Sequence, residues 1–220
     1  MTLEIRLFGE LSVLRDGGAV GLPASRKTRA LLAYLAATPR PHLREKLCAL
    51  LWEGPDDPRA ALRWSLTKLR AVVDDPGRRR LVADREHVQL ELTDCSVDLA
   101  MLRAAIPGCT PGGARQLPTE TLRAVAPLLR GELLEGLELP ECSRFVEWCR
   151  AERALARRVG AAVLATLVDR LAEAGGDETY EALEHARCWA QLDPLDEAAH
   201  AAVGRVLELA RPLSAPAGSS

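Results

Sequence analysis

From Arg59 to Arg85 the sequence sets eight cations, Arg59, Arg63, Lys68, Arg70, Arg78, Arg79, Arg80 and Arg85, against three acids, Asp74, Asp75 and Asp84. That stretch carries +5 in a chain whose formal total is −2. A guanidinium fork matches a phosphate or the edge of a guanine, and neutralising a duplex backbone needs a local basic patch rather than a basic whole. Charge runs taken alone are more often solvated faces or partners of nearby carboxylates. The elements that hold these side chains therefore decide between the two readings.

The run RAALRWSLTKLRAVV, Arg59 to Val73, has helical spacing. At 3.6 residues per turn Leu62, Leu66, Leu69 and Val73 share one narrow stripe, while Arg59, Arg63, Thr67, Lys68 and Arg70 stand off it. Asp56, Asp57 and Pro58 mark its start, and Asp74, Asp75, Pro76 and Gly77 its end. Trp64 points almost directly away from the stripe, where a solvated helix favours a charge, so either a neighbouring strand or a ligand covers it.

Upstream, Leu3, Ile5, Leu7, Leu11 and Val13 alternate with polar or small residues, broken at Gly9. With the turn signal Asp16-Gly17-Gly18 and a return over Ala19 to Leu22, this predicts an antiparallel sheet. Ser25 can cap a helix over RKTRALLAYLAAT, ending at Pro39. Arg26 and Lys27 sit at its start, where the dipole disfavours cations and an outside anion would compensate. A second helix runs from His42 or Leu43 to Trp52, stopped by Gly54-Pro55. Beyond the basic helix, Arg80 to Ala83 and His87 to Leu92 read as a hairpin about Asp84-Arg85-Glu86, with Arg78, Arg79 and Arg80 as a solvated loop before it. Sheet, three helices and hairpin are the layout of a winged helix-turn-helix. In such a layout the third helix fits the major groove, the second supports it and the hairpin reaches phosphates or the minor groove.

Composition narrows the classes. With 48% hydrophobic and 27% charged residues over 220 positions, the chain is that of a globular protein of one large or two small domains. It has neither a run of eighteen apolar residues nor a signal-peptide pattern after Met1, so a cytoplasmic location is expected and a membrane is not. Cys48, Cys95, Cys109, Cys142, Cys149 and Cys188 form no C-x-x-C pair, which argues against zinc and, in that compartment, against disulfides. The sequence lacks G-x-S-x-G, a Walker loop and a dinucleotide fingerprint, and His42, His87, His185 and His200 are scattered. Neither an enzyme nor a cofactor is expected.

The back half is helical and more acidic: residues 1–98 carry +2 and 99–220 carry −4. Pro107 to Pro118 reads as a loop or flexible joint. Helices follow over Ser143 to about Ala174, as one or as two meeting near Val159 or Gly160, then Glu178 to Leu192 and Leu195 to Leu209. Ala182, Ala186 and Ala190 before Asp193-Pro194 give a tetratricopeptide-like spacing, with the proline starting the next helix. The tail after Arg211 is disordered by composition.

The runs SRKTRALLAYLA, REKLCALLWEGPDDPRAALRWSLTKLR and RRLVADREHVQLEL resemble the OmpR-type DNA-binding domain of the SARP family, the Streptomyces antibiotic regulatory proteins. RGELLEGLELPECSRFVEWCRAERALARRV and YEALEHARCWAQLDPLDEAAHAAV resemble the bacterial transcriptional activation domain that follows it there. The resemblance implies a mostly α fold with a small β part: a winged-helix domain over 1–97, a tetratricopeptide-like domain over 98–210 that stops short of the full repeat array, and a tail over 211–220. It implies double-stranded DNA as partner, RNA polymerase as a second, and side-by-side binding as a homodimer on direct repeats. Arg59, Arg63, Trp64, Thr67, Lys68, Arg70 and the wing's Arg85 would meet DNA. Many OmpR-type wings carry Gly-x-Gly-Tyr where this chain has Arg85-Glu86-His87-Val88, which implies a shorter or tilted wing. The competing reading is a helical protein-interaction module of a larger regulator whose winged helix no longer binds DNA.

Overall fold

The computed structural model describes residues 2–54 and 57–210. The expected contributions of Pro55, Asp56 and the 211–220 tail lie outside the described residues. Packing groups the chain into two compact units: the first joins 1–105 to 130–157, the second joins 106–129 to the chain from Arg158 onward.

In the first unit the alternating apolar residues build β1 (Leu3–Arg6) and β2 (Ser12–Arg15), paired antiparallel with Ile5 opposite Val13. β3 (Gly18–Ala19) completes the hairpin after the Asp16-Gly17 turn. Leu3, Ile5 and Val13 are buried, so one face of the pleat enters the core. The sheet is not purely antiparallel as expected. Its fourth strand, here numbered last, is β7 (Cys95–Val97), parallel to β1 with Val97 opposite Ile5. A parallel partner arriving some ninety residues later leaves no local pattern to read.

α1 (Arg26–Ala37) starts at Ser25, whose hydroxyl accepts the Thr28 N–H at 3.3 Å. α2 begins later than expected, at Arg44, and ends at Leu51. His42 and Leu43 instead form β4, and His42 pairs with Val88 of β6 (His87–Leu90), which also pairs with β5 (Leu81–Ala83). The wing is therefore three-stranded, in the order β4-β6-β5. α3 (Pro58–Val73) is capped by Asp57, whose carboxylate accepts the Ala60 N–H at 2.8 Å. Its stripe of Leu62, Leu66, Leu69 and Val73 is fully inside, each leucine contributing roughly 1.5–3 kcal/mol through burial. One contact between α1 and α3 is polar: the Thr28 and Ser65 hydroxyls, both buried, meet at 2.9 Å.

The first unit closes with residues far along the chain. Leu134 N–H donates to the Leu7 carbonyl at 2.7 Å, Gly9 N–H to that of Glu132 at 2.9 Å, and Glu135 N–H to that of Gly9 at 3.0 Å. Buried Asp98, at the start of α4 (Asp98–Ala105), accepts from the N–H groups of Leu7 (2.9 Å), Phe8 (3.1 Å) and Leu99 (2.8 Å), and from Arg130 at 2.6 Å. The Cys142 thiol donates to Leu51 carbonyl at 3.3 Å, and Tyr34 stacks edge-on against Trp148, centroids 4.9 Å apart. The division by packing thus differs from a boundary at Val97, because residues 98–105 and 130–157 belong to the winged-helix core.

The second unit is helical. Residues 107–118, expected as a loop or flexible joint, contain short helical turns. A 3-10 turn (Pro107–Cys109) leads into α5 (Pro111–Arg115), capped by Thr110, and a Cβ on Gly113 would lie 2.2 Å from the Pro107 carbonyl oxygen. The glycine is there for close approach. α6 (Thr119–Val125) follows. α7 (Ser143–Ala174) is one continuous helix contributing residues to both units. Gly160 does not break it; a Cβ there would stand 3.0 Å from Leu192 and 3.1 Å from Leu129. α8 (Glu178–Leu192) and α9 (Glu197–Leu209) form an antiparallel hairpin that buries Ala182, Ala186 and Trp189 with Ala199, Ala202 and Val206. Small residues at this spacing let the backbones approach. α9 starts at Glu197, not at the proline, because Asp196 caps it by accepting the Ala198 N–H at 2.9 Å.

Candidate nucleic-acid interface

Burying the leucine stripe turns the other half of α3 outward. Arg59, Arg63, Trp64, Thr67, Lys68 and Arg70 are all exposed. Arg63 makes a surface ion pair with Asp57 at 3.7 Å, both more than half exposed, which leaves the guanidinium available because such pairs are weak. Thr67 donates its hydroxyl to the Arg63 carbonyl at 3.0 Å. Trp64 is 50% exposed, so the wing does not cover it; the Lys68 ammonium stands over its ring, 5.4 Å from the centroid.

The C-terminal end of α3 is held by guanidiniums. Arg15 donates to the Val72 and Asp74 carbonyls at 2.8 and 3.1 Å, and Arg80 to that of Val73 at 2.7 Å. Cations at this end also complement the helix dipole. Arg80 is therefore not part of a solvated loop. It is 1% exposed, bonds Asp94 through two nitrogens at 3.0 and 2.8 Å, and bonds Asp75 at 2.6 Å. Those carboxylates raise its pKa against the effect of burial, and it in turn holds Asp94 below the usual carboxylate range. Arg78 pairs with Asp94 at 3.0 Å, while Arg79 is exposed. The open patch is thus smaller than the count of cations suggests, and it is concentrated on α3 and the wing tip.

At that tip Asp84 accepts the Glu86 and His87 N–H groups, each at 2.7 Å, closing a tight turn that leaves Arg85 exposed. The same bonds hold the Asp84 carboxyl below its ordinary value. One residue missed in the sequence is Arg44. Its backbone N–H donates to the Glu86 carbonyl and its Nε to that of Asp84, both at 2.8 Å, so the first residue of α2 fixes the wing turn. Nothing local announces this role, which arises only once β4 pairs with β6. Between wing and α3 lies a groove of about 850 Å³, whose walls carry Arg44, Arg59, Arg63 and Arg85 together with Glu45, Asp84 and Glu86. The structure brings Arg59, Arg63 and Arg85 to this groove, while Trp64, Thr67, Lys68 and Arg70 do not line it.

At the start of α1, Lys27 approaches Glu141 at 3.8 Å and Arg29 donates to the Pro23 and Ala24 carbonyls at 2.9 and 3.0 Å, while Arg26 is exposed. Among the described residues no group of three or more His, Cys, Asp or Glu is arranged to hold a metal ion, and no helix is long and apolar enough to cross a membrane.

A solved structure of Mycobacterium tuberculosis EmbR shares this fold. That structure is described as EmbR in complex with a low-affinity phosphopeptide. It superposes with a TM-score of 0.56 at 21% identity over 96% of this chain, and the chain spans 66% of EmbR's length. No protein-family model matches the chain, and no curated protein matches it. The likeness to EmbR bears on architecture alone: a mostly α chain with a small sheet, a winged helix and a helical region after it.

Proposed function

We propose that this chain is a sequence-specific DNA-binding transcriptional regulator that acts in the cytoplasm. The observation that carries the reading is the outer half of α3, where Arg59, Arg63, Lys68 and Arg70 are all exposed on a helix whose opposite face is locked into the core. A helix so presented, with a wing beside it, suits the major groove and the adjacent backbone. In this reading Arg59, Arg63, Thr67, Lys68, Arg70, Trp64 and Arg85 meet the duplex. A fork set on a guanine gives about 1–3 kcal/mol of base discrimination, and a cation on phosphate gives affinity without sequence information. The helical region contacts RNA polymerase as an activator's would, and two chains bind side by side on direct repeats.

Glu45, Asp84 and Glu86 in the groove favour the second reading, a protein-interaction module, because carboxylates repel a phosphodiester. Salt separates the two. Binding of the full chain to a random-sequence duplex is expected to fall steeply with added salt, and Arg63→Ala with Lys68→Ala to flatten the log-log slope by about 2, near 0.9 for each phosphate no longer neutralised. Duplex affinity and slope unchanged in the double variant would sink the DNA reading.

A further inference from the structure

The outer half of α3 is not uniformly charged. At 3.6 residues per turn Ala60, Thr67, Ala71 and Trp64 fall within about 60° of arc, with Arg59, Arg63 and Arg70 along one flank and Lys68 along the other. Thr67 donates its hydroxyl proton to the Arg63 carbonyl, which leaves its methyl as an apolar group for the strip and its oxygen only as an acceptor. Ala71 is exposed and Trp64 half exposed, the indole steadied by the Lys68 ammonium over its ring. Together they make an apolar strip bounded by cations on both sides.

Resting on the DNA reading above, we infer that this strip reads thymine, with the Trp64 indole and the Thr67 methyl packing against C5 methyl groups on the major-groove floor. The charge pattern fits that occupant: flanking cations align with the phosphates that wall a major groove, and the one apolar feature on its floor is the thymine methyl. A helix reading only guanines would use its central positions for donors, whereas here the donors are at the sides.

The test uses the full chain and a duplex it selects from a random-sequence pool. That duplex is remade with deoxyuridine for thymine one position at a time, which removes the methyl and keeps every base-edge donor and acceptor. At one or two positions the wild-type chain should bind about fourfold more weakly, the equivalent of one buried methyl-sized group. Trp64→Ala should erase that difference, and Trp64→Phe, which keeps an apolar ring, should retain it. An unchanged melting temperature checks that each variant folds. Equal affinity for every deoxyuridine duplex, with Arg63→Ala still weakening binding, would overturn the thymine reading and leave DNA binding standing. If no duplex is enriched, both readings fall.

Discussion

Arg80 and Arg79 are neighbours with opposite fates. The Arg80 guanidinium is enclosed by Asp75, Asp94 and the Val73 carbonyl, so Arg80→Ala leaves the Asp75 carboxylate, its side chain 5% exposed, with Arg15 as its remaining counter-charge. Breaking a buried pair from one side costs about 3–5 kcal/mol, whereas Arg79→Ala on the surface should stay within about 0.5 kcal/mol. Urea unfolding of the two variants should show that contrast, and an Arg80→Ala midpoint equal to wild type would contradict the buried cluster. The run Arg78-Arg79-Arg80 cannot disclose this by itself, since the deciding partner Asp94 lies fourteen positions beyond Arg80. The exposed residues of α3 are a different matter. Their outward placement follows from the leucine stripe, and the stripe is written in the spacing of Leu62, Leu66 and Leu69.

At the scale of elements, the join between α1 and the wing carries a titratable group. A carbonyl only accepts, so His42 Nε2 carries the proton it donates to Thr38 at 2.9 Å; the ring stacks obliquely on Tyr34 and is 4% exposed. Burial pushes its pKa down, and the Thr38 carbonyl draws it only partly back. A folded-state value below the unfolded one, about 6.5, means that stability is present above that pH and is lost as pH falls through the depressed value. The urea midpoint should therefore decline as pH falls below about 6.5, and decline less in His42→Gln. His185 on α8, also lowered by burial, has the same sign, so some slope should survive the substitution. A variant with the full wild-type slope would remove His42 from the account. In the sequence His42 reads as the start of a helix. Its strand conformation is set by pairing with Val88, a contact across forty-six positions that no local propensity encodes.

On the scale of the whole molecule, the elements of the winged helix were legible and their enclosure was not. Caps, stripes and turn residues act over a few positions, and Ser25, Asp57 and Asp196 behave as their types suggest. The return of 130–157 to the first unit depends on backbone bonds to Leu7 and Gly9 and on Arg130 meeting Asp98, none of which has a sequence period. A fragment of residues 1–97 lacks those partners and the Asp98 carboxylate that ties down the Leu7 and Phe8 N–H groups. It should melt well below the full chain or not cooperatively at all. A fragment with the melting temperature of the full chain would show that the returning segment is dispensable.

That discontinuous first unit also sets an order of events during synthesis. A nascent polypeptide that has emerged only as far as Val97 already displays every arginine of α3, yet the strands and helices behind it have not received Asp98, Arg130 or Cys142. Completion of the first unit therefore waits for the stretch through Arg157, and an early translation arrest is expected to leave an incompletely packed intermediate that proteases cut more readily than the full chain.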